Sequence, residues 1–215
     1  MDDEERRALE QRERLPGPLR PRRPADFDEM YTDVPPWDIG RPQSEFVALA
    51  DAGALRGRVL DVGCGTGEHA LLAAEHGLDA TGIDLAAAAI DQARAKAQAR
   101  GLDVRFEIYN ALELAAFGEQ FDTVLDSGLF HVFEDDDRAR FVRALHATIA
   151  PDGRYHLLCF SDLQPGDWGP RRVSRDEIRA SFTEGWRVES IDAAVFDVRL
   201  DPGRALAWRA VVTRV

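Results

Sequence analysis

From residue 58 onward, the chain alternates short apolar runs of strand type with longer segments of helical periodicity. The run RVLDVG at 58–63 precedes a helical segment over 68–75, and the run DATGID at 79–84 precedes another over 85–100. Short apolar runs bounded by turn residues predict buried strands, and the longer periodic segments predict amphipathic helices. This alternation is typical of right-handed β-α-β units, which form a parallel sheet covered by helices.

The same alternation continues through the middle of the chain. The runs DVRFEIY at 103–109 and FDTVLDSG at 121–128 predict a third and a fourth strand, and a helix is predicted from about Asp136 to Ile149. The turn residues at 151–153 then lead into GRYHLLCF, a predicted fifth strand.

Two strand-type runs near the C-terminus, WRVESIDAAVFD and ALAWRAVVTRV, are joined by the short turn Asp201 to Gly203. A connection this short has no room for a crossover helix, so these two strands must run antiparallel. Before them, Ser174 and Glu177 have the spacing of a capping box at a helix start. We therefore predict an α/β, Rossmann-like fold with a seven-stranded, mostly parallel sheet, an antiparallel C-terminal strand, and helices on both faces.

The N-terminal residues differ from the rest of the chain. Acidic residues and arginines alternate up to about residue 14, and four prolines follow between Leu15 and Pro24. Prolines interrupt helices and favour extended structure. We predict a flexible arm over 1–25 and a single domain over 26–215, in which a proline-rich segment precedes a helix from Pro42 to about Ala52.

Size and charge limit the classes of protein to consider. A chain of 215 residues with 45% hydrophobic residues can bury a core within one domain. A formal net charge of −12 argues against nucleic-acid binding, because such proteins concentrate basic charge on a binding face. The charged start is unlike a secretory signal, and no apolar run approaches the roughly 18 residues of a membrane span. Two separated cysteines, Cys64 and Cys159, do not suggest a disulfide framework. These features predict a cytoplasmic protein whose partner is a small molecule; its oligomeric state stays open.

The strongest motif, Asp61 to Gly67, lies between the first predicted strand and the first helix after it. Its glycines permit a tight turn and let a ligand approach main-chain N–H groups closely. In an open α/β sheet such a loop lies at the crevice beyond the carboxyl ends of the strands. Asp84 ends the next strand, where a carboxylate can accept hydrogen bonds from ribose hydroxyls. The pair predicts a nucleoside-binding site.

A dinucleotide site uses similar geometry and must be considered as an alternative. Its GxGxxG fingerprint is broken here, because Glu68 occupies the sixth position counted from Gly63. A carboxylate at Asp61 also suits a ligand with an amino group better than one with a pyrophosphate. A dinucleotide-dependent oxidoreductase is therefore the weaker interpretation.

The segment VLDVGCGTG at 59–67 resembles the first motif of class I S-adenosylmethionine-dependent methyltransferases. The resemblance implies that the glycine loop binds the amino acid part of S-adenosylmethionine, that Asp84 binds the ribose, and that Asn110 contacts the adenine. The family more often has Asp at this last position, and Asn is also a common turn former. The product of the cofactor would be S-adenosylhomocysteine.

The segment PPWDIGRPQ resembles the N-terminal region of bacterial methyltransferases that act on thiopurines, thiols and heterocycles. In these relatives the segment folds over the cofactor, which makes Trp37 and Arg41 candidate lid residues. A hydrophobic anchor is the alternative role for Trp37. The full predicted cofactor site is Asp61, Gly63, Cys64, Gly65, Gly67, Asp84, Leu85, Asn110, Ala111, Asp126, Trp37 and Arg41.

The loop after the fourth strand carries the candidate chemistry. We predict that His131 is a general base for the methyl acceptor, because imidazole titrates near neutrality; a structural histidine is the alternative. Phe130 or Phe133 would pack on the acceptor, and Trp168 would close the pocket from a later loop. Asp126 is expected to position the loop or contact the cofactor and not to act as a base.

The acidic run Glu134 to Asp137 has the composition of a metal site, but it directly precedes a predicted helix. Acids at that position cap the helix and complement its dipole, so we predict no metal. The predicted function is methyl transfer from S-adenosylmethionine to sulfur, oxygen or nitrogen of a small molecule by in-line displacement. The alternative from another class is a noncatalytic S-adenosylmethionine-binding regulatory module.

Overall fold

The computed structural model describes residues 29–166 and 168–215. The predicted arm over 1–25 lies outside these residues and stays a prediction. The strands are β1 (Arg58–Val62), β2 (Asp79–Asp84), β3 (Val104–Ile108), β4 (Phe121–Ser127), β5 (Ile149–Phe160), β6 (Trp186–Asp197) and β7 (Arg204–Arg214). The α-helices longer than one turn are α1 (Ser44–Asp51), α2 (Glu68–Glu75), α3 (Ala87–Arg100), α4 (Asp135–Thr148) and α5 (Arg175–Ser181).

The seven strands form one sheet in the order β3-β2-β1-β4-β5-β7-β6. Strands β1 to β5 are parallel, whereas β7 runs antiparallel to both β5 and β6. The strand order reverses between β1 and β4, where the crossovers leave in opposite directions and open a crevice at the carboxyl ends. The predicted fold class is confirmed, and the topology places the ends of β1, β2, β4, β5 and β6 at one edge.

Helices cover both faces of the sheet and bury a separate apolar cluster on each. On one face, Phe141 of α4 and Ile178 of α5 pack with Leu157 of β5. On the other face, Phe46 of α1 and Leu71 of α2 belong to a second cluster. Burial of these clusters is the main favourable term that holds the strand ends in register.

Two predictions about helix starts have different outcomes. The capping box of α5 is confirmed, because Ser174 Oγ accepts from Glu177 N at 3.1 Å and Glu177 Oε2 accepts from Ser174 N at 2.8 Å. At α4 the acids do lie in the first turn, but Glu134 at the N-cap makes no capping hydrogen bond. The carboxylate of Asp135 instead accepts from Arg171 at 2.7 Å, so the capping role was wrong while the dipole role is retained.

Candidate active site

The glycine loop turns sharply between β1 and α2. Gly63, Gly65 and Gly67 have φ values of 67°, 52° and 86°, a region that side chains other than glycine rarely adopt. A Cβ atom at Gly65 would lie 2.8 Å from the Tyr31 hydroxyl, and one at Gly67 would lie 2.7 Å from the Phe106 ring. The Gly65 position faces Tyr31 in the crevice, whereas the Gly67 position packs against Phe106 in the core. Gly67 therefore allows the loop to pack closely on the core.

Asp84 connects the end of β2 to the glycine loop. Its Oδ2 accepts from Gly65 N at 2.8 Å, and its Oδ1 accepts from Ala86 N at 2.9 Å. The carboxylate is therefore oriented by main-chain groups on both sides while it lines the crevice together with Leu85. Its predicted contact with a ribose stays a prediction that this position supports.

Asp61 lies beneath the loop and not at the surface of the crevice. It is 1% exposed, and its Oδ2 accepts from Ala70 N at 3.2 Å. Among the described residues its Oδ1 has no hydrogen-bond partner, although the atom is buried. Burial raises the pKa of this carboxyl to about 8. The predicted cofactor contact of Asp61 is therefore not a direct one in this arrangement.

Asn110 begins a 3-10 helix over Ala111–Ala116. Its side-chain oxygen accepts from Leu112 N at 3.0 Å, and its amide group donates to Glu113 at 3.4 Å. Asn110 thus acts as the turn former that the sequence left as an alternative. It also lines the crevice beside Ala111, so an adenine contact through the second lone pair of the amide oxygen stays a prediction.

The loop after β4 is held by Asp126, which is fully buried. Its carboxylate accepts from Leu129 N at 2.8 Å, from Phe130 N at 3.1 Å and from the Tyr155 hydroxyl at 2.6 Å. These bonds hold the loop in place, in agreement with the predicted positioning role, and the predicted contact of Asp126 with the cofactor stays a prediction. The same bonds direct Phe130 into the core, where its ring is fully buried and stacks on Phe182 at 5.9 Å. Phe130 was wrongly predicted as a pocket wall, and Phe133 lines the crevice instead.

His131 also lines the crevice, with a hydrogen-bonding pattern that does not suit a base. Its Nδ1 accepts from the Phe160 main-chain N–H at 3.0 Å, so in the neutral ring the proton resides on Nε2. Burial, followed by the charges of Arg172 and Arg138, lowers the pKa of this imidazole to about 3. The prediction of a general base is corrected, because near neutrality the ring presents a donor.

Residues 29–43, which we call the entry segment, lie across the glycine loop and the end of β6. The Trp37 indole N–H donates to the Tyr31 hydroxyl at 3.4 Å, and both rings line the crevice. Arg41 lines it too, but its guanidinium donates to Asp197 at 3.1 Å. The segment therefore lies beside the crevice, where Arg41 links it to the end of β6, and its role as a lid over the cofactor stays a prediction.

A further residue of the entry segment, Gln43, was not identified from the sequence. Gln43 is 2% exposed, and its side chain donates to Asp197 O at 3.0 Å and accepts from Asp197 N at 2.7 Å. Its own main-chain N–H donates to His69 Nε2 at 3.1 Å. The sequence near Gln43 does not predict this role, because its partner Asp197 lies 154 residues away along the chain.

Trp168 forms the opposite wall, after β5. Its ring meets Phe160 edge to face at 5.5 Å, and Phe160 meets Phe196 of β6 at 5.2 Å. The Arg172 guanidinium lies 5.7 Å from the Trp168 ring and donates to the Trp168 carbonyl at 2.9 Å. This places Trp168 in the position that was predicted for closing the pocket.

Together these elements enclose a cavity of about 350 Å³. Its half over β1 to β3 is lined by glycine-loop backbone, Asp84 and Asn110, and its half over β4 to β6 is lined mainly by apolar and aromatic side chains. Predicted site residues that line the cavity are Trp37, Arg41, Gly63, Cys64, Gly65, Asp84, Leu85, Asn110, Ala111, His131 and Trp168; those that do not are Asp61, Gly67, Asp126 and Phe130.

The polar half fits S-adenosylmethionine on two observations. The loop leaves space that a Cβ at Gly65 would fill, and Asp84 offers a carboxylate whose orientation is fixed by main-chain N–H groups. Within the described residues, His, Cys, Asp and Glu form no cluster of three that could hold a metal ion.

Comparison with known proteins identifies the family. Residues 59–153 match a family described as a methyltransferase domain. The chain is 36% identical over 169 residues to 2-heptyl-1-hydroxyquinolin-4(1H)-one methyltransferase of Mycobacteroides abscessus, which covers 77% of this chain and 74% of that protein. The chain belongs to the class I S-adenosylmethionine-dependent methyltransferases. It transfers the methyl group of S-adenosylmethionine to a small-molecule acceptor.

Solved structures agree with this assignment. One, from work on the conversion of a disulfide bond into a thioacetal group during echinomycin biosynthesis, is 39% identical with a TM-score of 0.81 and covers 89% of this chain and 93% of its own. Magnesium protoporphyrin IX methyltransferase of Synechocystis with bound S-adenosylmethionine has a TM-score of 0.61 at 21% identity, covering 80% of this chain and 77% of its own, and supports the fold alone. Every helix in the described part of the chain is too short or too polar to traverse a bilayer.

Proposed function

We propose that the acceptor is a flat aromatic or heteroaromatic molecule with an ionisable hydroxyl group. The observation that carries this proposal is the aromatic wall over β5 and β6, in which Phe160, Trp168 and Phe196 meet edge to face. Trp37 and Phe133 line the same cavity from two other elements. Aromatic rings favour offset or edge-to-face partners, so a planar ring is the shape that such a wall selects.

The protein's part in the reaction is to position the cofactor and the acceptor and to remove water from around them. When bound, S-adenosylmethionine supplies a methyl group on a sulfonium sulfur, an electrophile that needs no further activation. The entry segment, fastened at Gln43 and Arg41, covers the crevice and excludes water. Holding two reactants in attack geometry contributes up to about 7 to 11 kcal/mol to lowering the barrier, which makes positioning the main task.

The relative from Mycobacteroides abscessus supports a hydroxylated heterocycle as the acceptor. Its name specifies a hydroxylated quinolone, a planar heterocycle with an alkyl tail. The cavity of this chain has a matching composition, with rings around Phe160 and aliphatic side chains at Ile39, Val198 and Leu200.

A Trp168→Leu variant tests the proposal. Loss of one aromatic contact, worth about 0.5 to 1.5 kcal/mol, should raise the KM for a hydroxyquinolone about two- to tenfold and leave the KM for S-adenosylmethionine unchanged. Trp186→Leu is the matched control, because Trp186 packs on Phe182 away from the cavity. Equal acceptor KM values for both variants and the unmodified protein would refute the aromatic-wall proposal.

A sulfur acceptor is the second candidate, favoured by the relative whose structure concerns a disulfide that becomes a thioacetal. The apolar wall also suits sulfur, which is weakly hydrated. A panel of a hydroxyquinolone, an aromatic thiol and a disulfide separates the two candidates. Turnover of the disulfide or thiol with none of the hydroxyquinolone would replace the first candidate by the second.

A further inference from the structure

The side chain of His131 has a polar atom that the fold leaves for a bound molecule. Among the described residues, the one hydrogen bond of its ring is made by Nδ1, which accepts from Phe160 N. The ring lies in the aromatic wall, 5.3 Å from Phe160 and 6.0 Å from Phe196 between ring centroids. The backbone of β5 therefore holds the ring at Nδ1, while the Nε2–H group has no hydrogen-bond acceptor among the described residues.

Gly128 makes room beside this nitrogen. A Cβ atom at Gly128 would lie 3.2 Å from His131 Nε2 and 3.1 Å from the Phe196 ring. Gly128 also has a φ of 88°, so glycine fits here for two reasons. Gly128, His131 and Phe196 all line the cavity.

Burial and the nearby positive charges keep the ring neutral. Burial lowers the pKa of His131 most, and Arg172 between β5 and α5 and Arg138 on α4 lower it further. Asp126 on β4 is occupied by two main-chain N–H groups of the same loop and by Tyr155. Glu134 and Asp137 line the cavity from the start of α4, where they are partly or fully exposed. Near neutrality His131 is thus a donor whose tautomer is fixed.

We propose that His131 Nε2–H donates to an oxygen of the acceptor and selects the ionised form of its hydroxyl group. This inference rests on the proposed aromatic hydroxyl acceptor. A donor in an apolar, water-poor wall stabilises an oxyanion more than it stabilises the neutral hydroxyl. His131 is then a specificity-determining residue, and no proton transfer to the protein is required.

Methyl transfer to an ionised acceptor requires no base on the protein. The hydroxyl proton passes to solvent when the acceptor ionises. An oxygen lone pair then forms the new bond to the methyl carbon, while the carbon–sulfur bond breaks and its electron pair stays on sulfur as neutral S-adenosylhomocysteine. Acceptors that ionise easily should therefore be the better substrates at neutral pH.

The test measures ionisation of a bound probe instead of turnover. A nitrophenol, whose ionised form absorbs visible light, is titrated with pH in the presence of excess protein saturated with S-adenosylhomocysteine. This neutral product replaces the sulfonium cation, so that the effect of the chain is seen alone. We compare the unmodified protein with His131→Phe, which keeps a ring, and with His131→Gln, which keeps an amide donor.

The proposal expects the bound nitrophenol to ionise at a lower pH in the unmodified protein than in His131→Phe. The difference should be about one pH unit or more, the effect of losing one hydrogen bond to a charged oxygen, and His131→Gln should lie between them. His156→Phe is the control, since His156 is buried on β5 and does not line the cavity. Thermal melts confirm that each variant is folded.

Two contrary outcomes are distinguishable. Binding of the nitrophenol with the same ionisation midpoint in the unmodified protein and in a folded His131→Gln and His131→Phe would overturn the role of His131 alone. No binding of any aromatic hydroxyl probe to the unmodified protein would overturn the proposed acceptor class, and this inference with it.

Discussion

The two halves of the cavity are built by different means. The half over β1 to β3 consists of main chain and of side chains at strand ends, such as Asp84 held by Gly65 N. The half over β4 to β6 consists of side chains from segments far apart in sequence, as when Gln43 binds Asp197 across 154 positions. A cofactor shared by a whole family can therefore be held by a short local motif, whereas an acceptor pocket depends on tertiary packing.

Asp84→Ala should have the largest effect on the cofactor half. It removes a charged acceptor and also leaves the main-chain N–H of Gly65 without its bond, so affinity for S-adenosylhomocysteine should fall tenfold or more. Asp103→Ala, an exposed acid ahead of β3, is the control. Calorimetry decides the outcome, and unchanged affinity in Asp84→Ala would remove Asp84 from the site.

Gly65→Ala should weaken S-adenosylhomocysteine binding by about tenfold, because a left-handed alanine costs about 1 to 2 kcal/mol and its methyl group would displace Tyr31. Gly53→Ala isolates the backbone contribution, since Gly53 has a φ of 67° with nothing within 4 Å of its Cβ position. Equal losses of affinity in the two variants would show that the loop does not contact the cofactor.

Gln43→Ala should act on both halves, because the lid covers both. The change leaves the main-chain groups of Asp197 unpaired, and the loosened lid should raise the KM for acceptor and cofactor about three- to tenfold each, as loss of about 1 kcal/mol predicts. Gln98→Ala on the exposed face of α3 is the control. A lid role is contradicted if only thermal stability changes while both KM values stay the same.

Asp61→Asn should change stability mainly at higher pH. The pKa of Asp61 is about 8 in the folded protein, and its ordinary value of 3.8 applies in the unfolded chain. Between these two pH values the folded state therefore holds one more proton than the unfolded state. Stability then falls as pH rises from about 4 to about 8, and the amide does not titrate. The melting temperature of the variant relative to the unmodified protein should therefore rise between pH 5 and pH 8. A constant difference would show that Asp61 is ionised in the fold.

The two halves of the cavity also differ in how well the sequence predicts them. The glycine loop and Asp84 were predictable because strand, turn and helix there are consecutive and each glycine has a local steric reason. Phe130 was wrongly predicted to line the cavity because neighbouring residues of the short 3-10 helix face different ways: Phe130 faces the core, whereas His131 faces the cavity. The proton position on His131 depends on Phe160 N, 29 residues away, and no local pattern carries that information.

Transfer of the methyl group to an acceptor can be followed directly with an isotope label. The protein is incubated with S-adenosylmethionine deuterated in its methyl group and a hydroxyquinolone, and products are read by mass spectrometry. We expect a labelled O-methyl product and S-adenosylhomocysteine in equal amounts, formed faster when the acceptor hydroxyl ionises more readily. Tight binding of S-adenosylmethionine without label transfer to any aromatic hydroxyl, thiol or disulfide acceptor would contradict it.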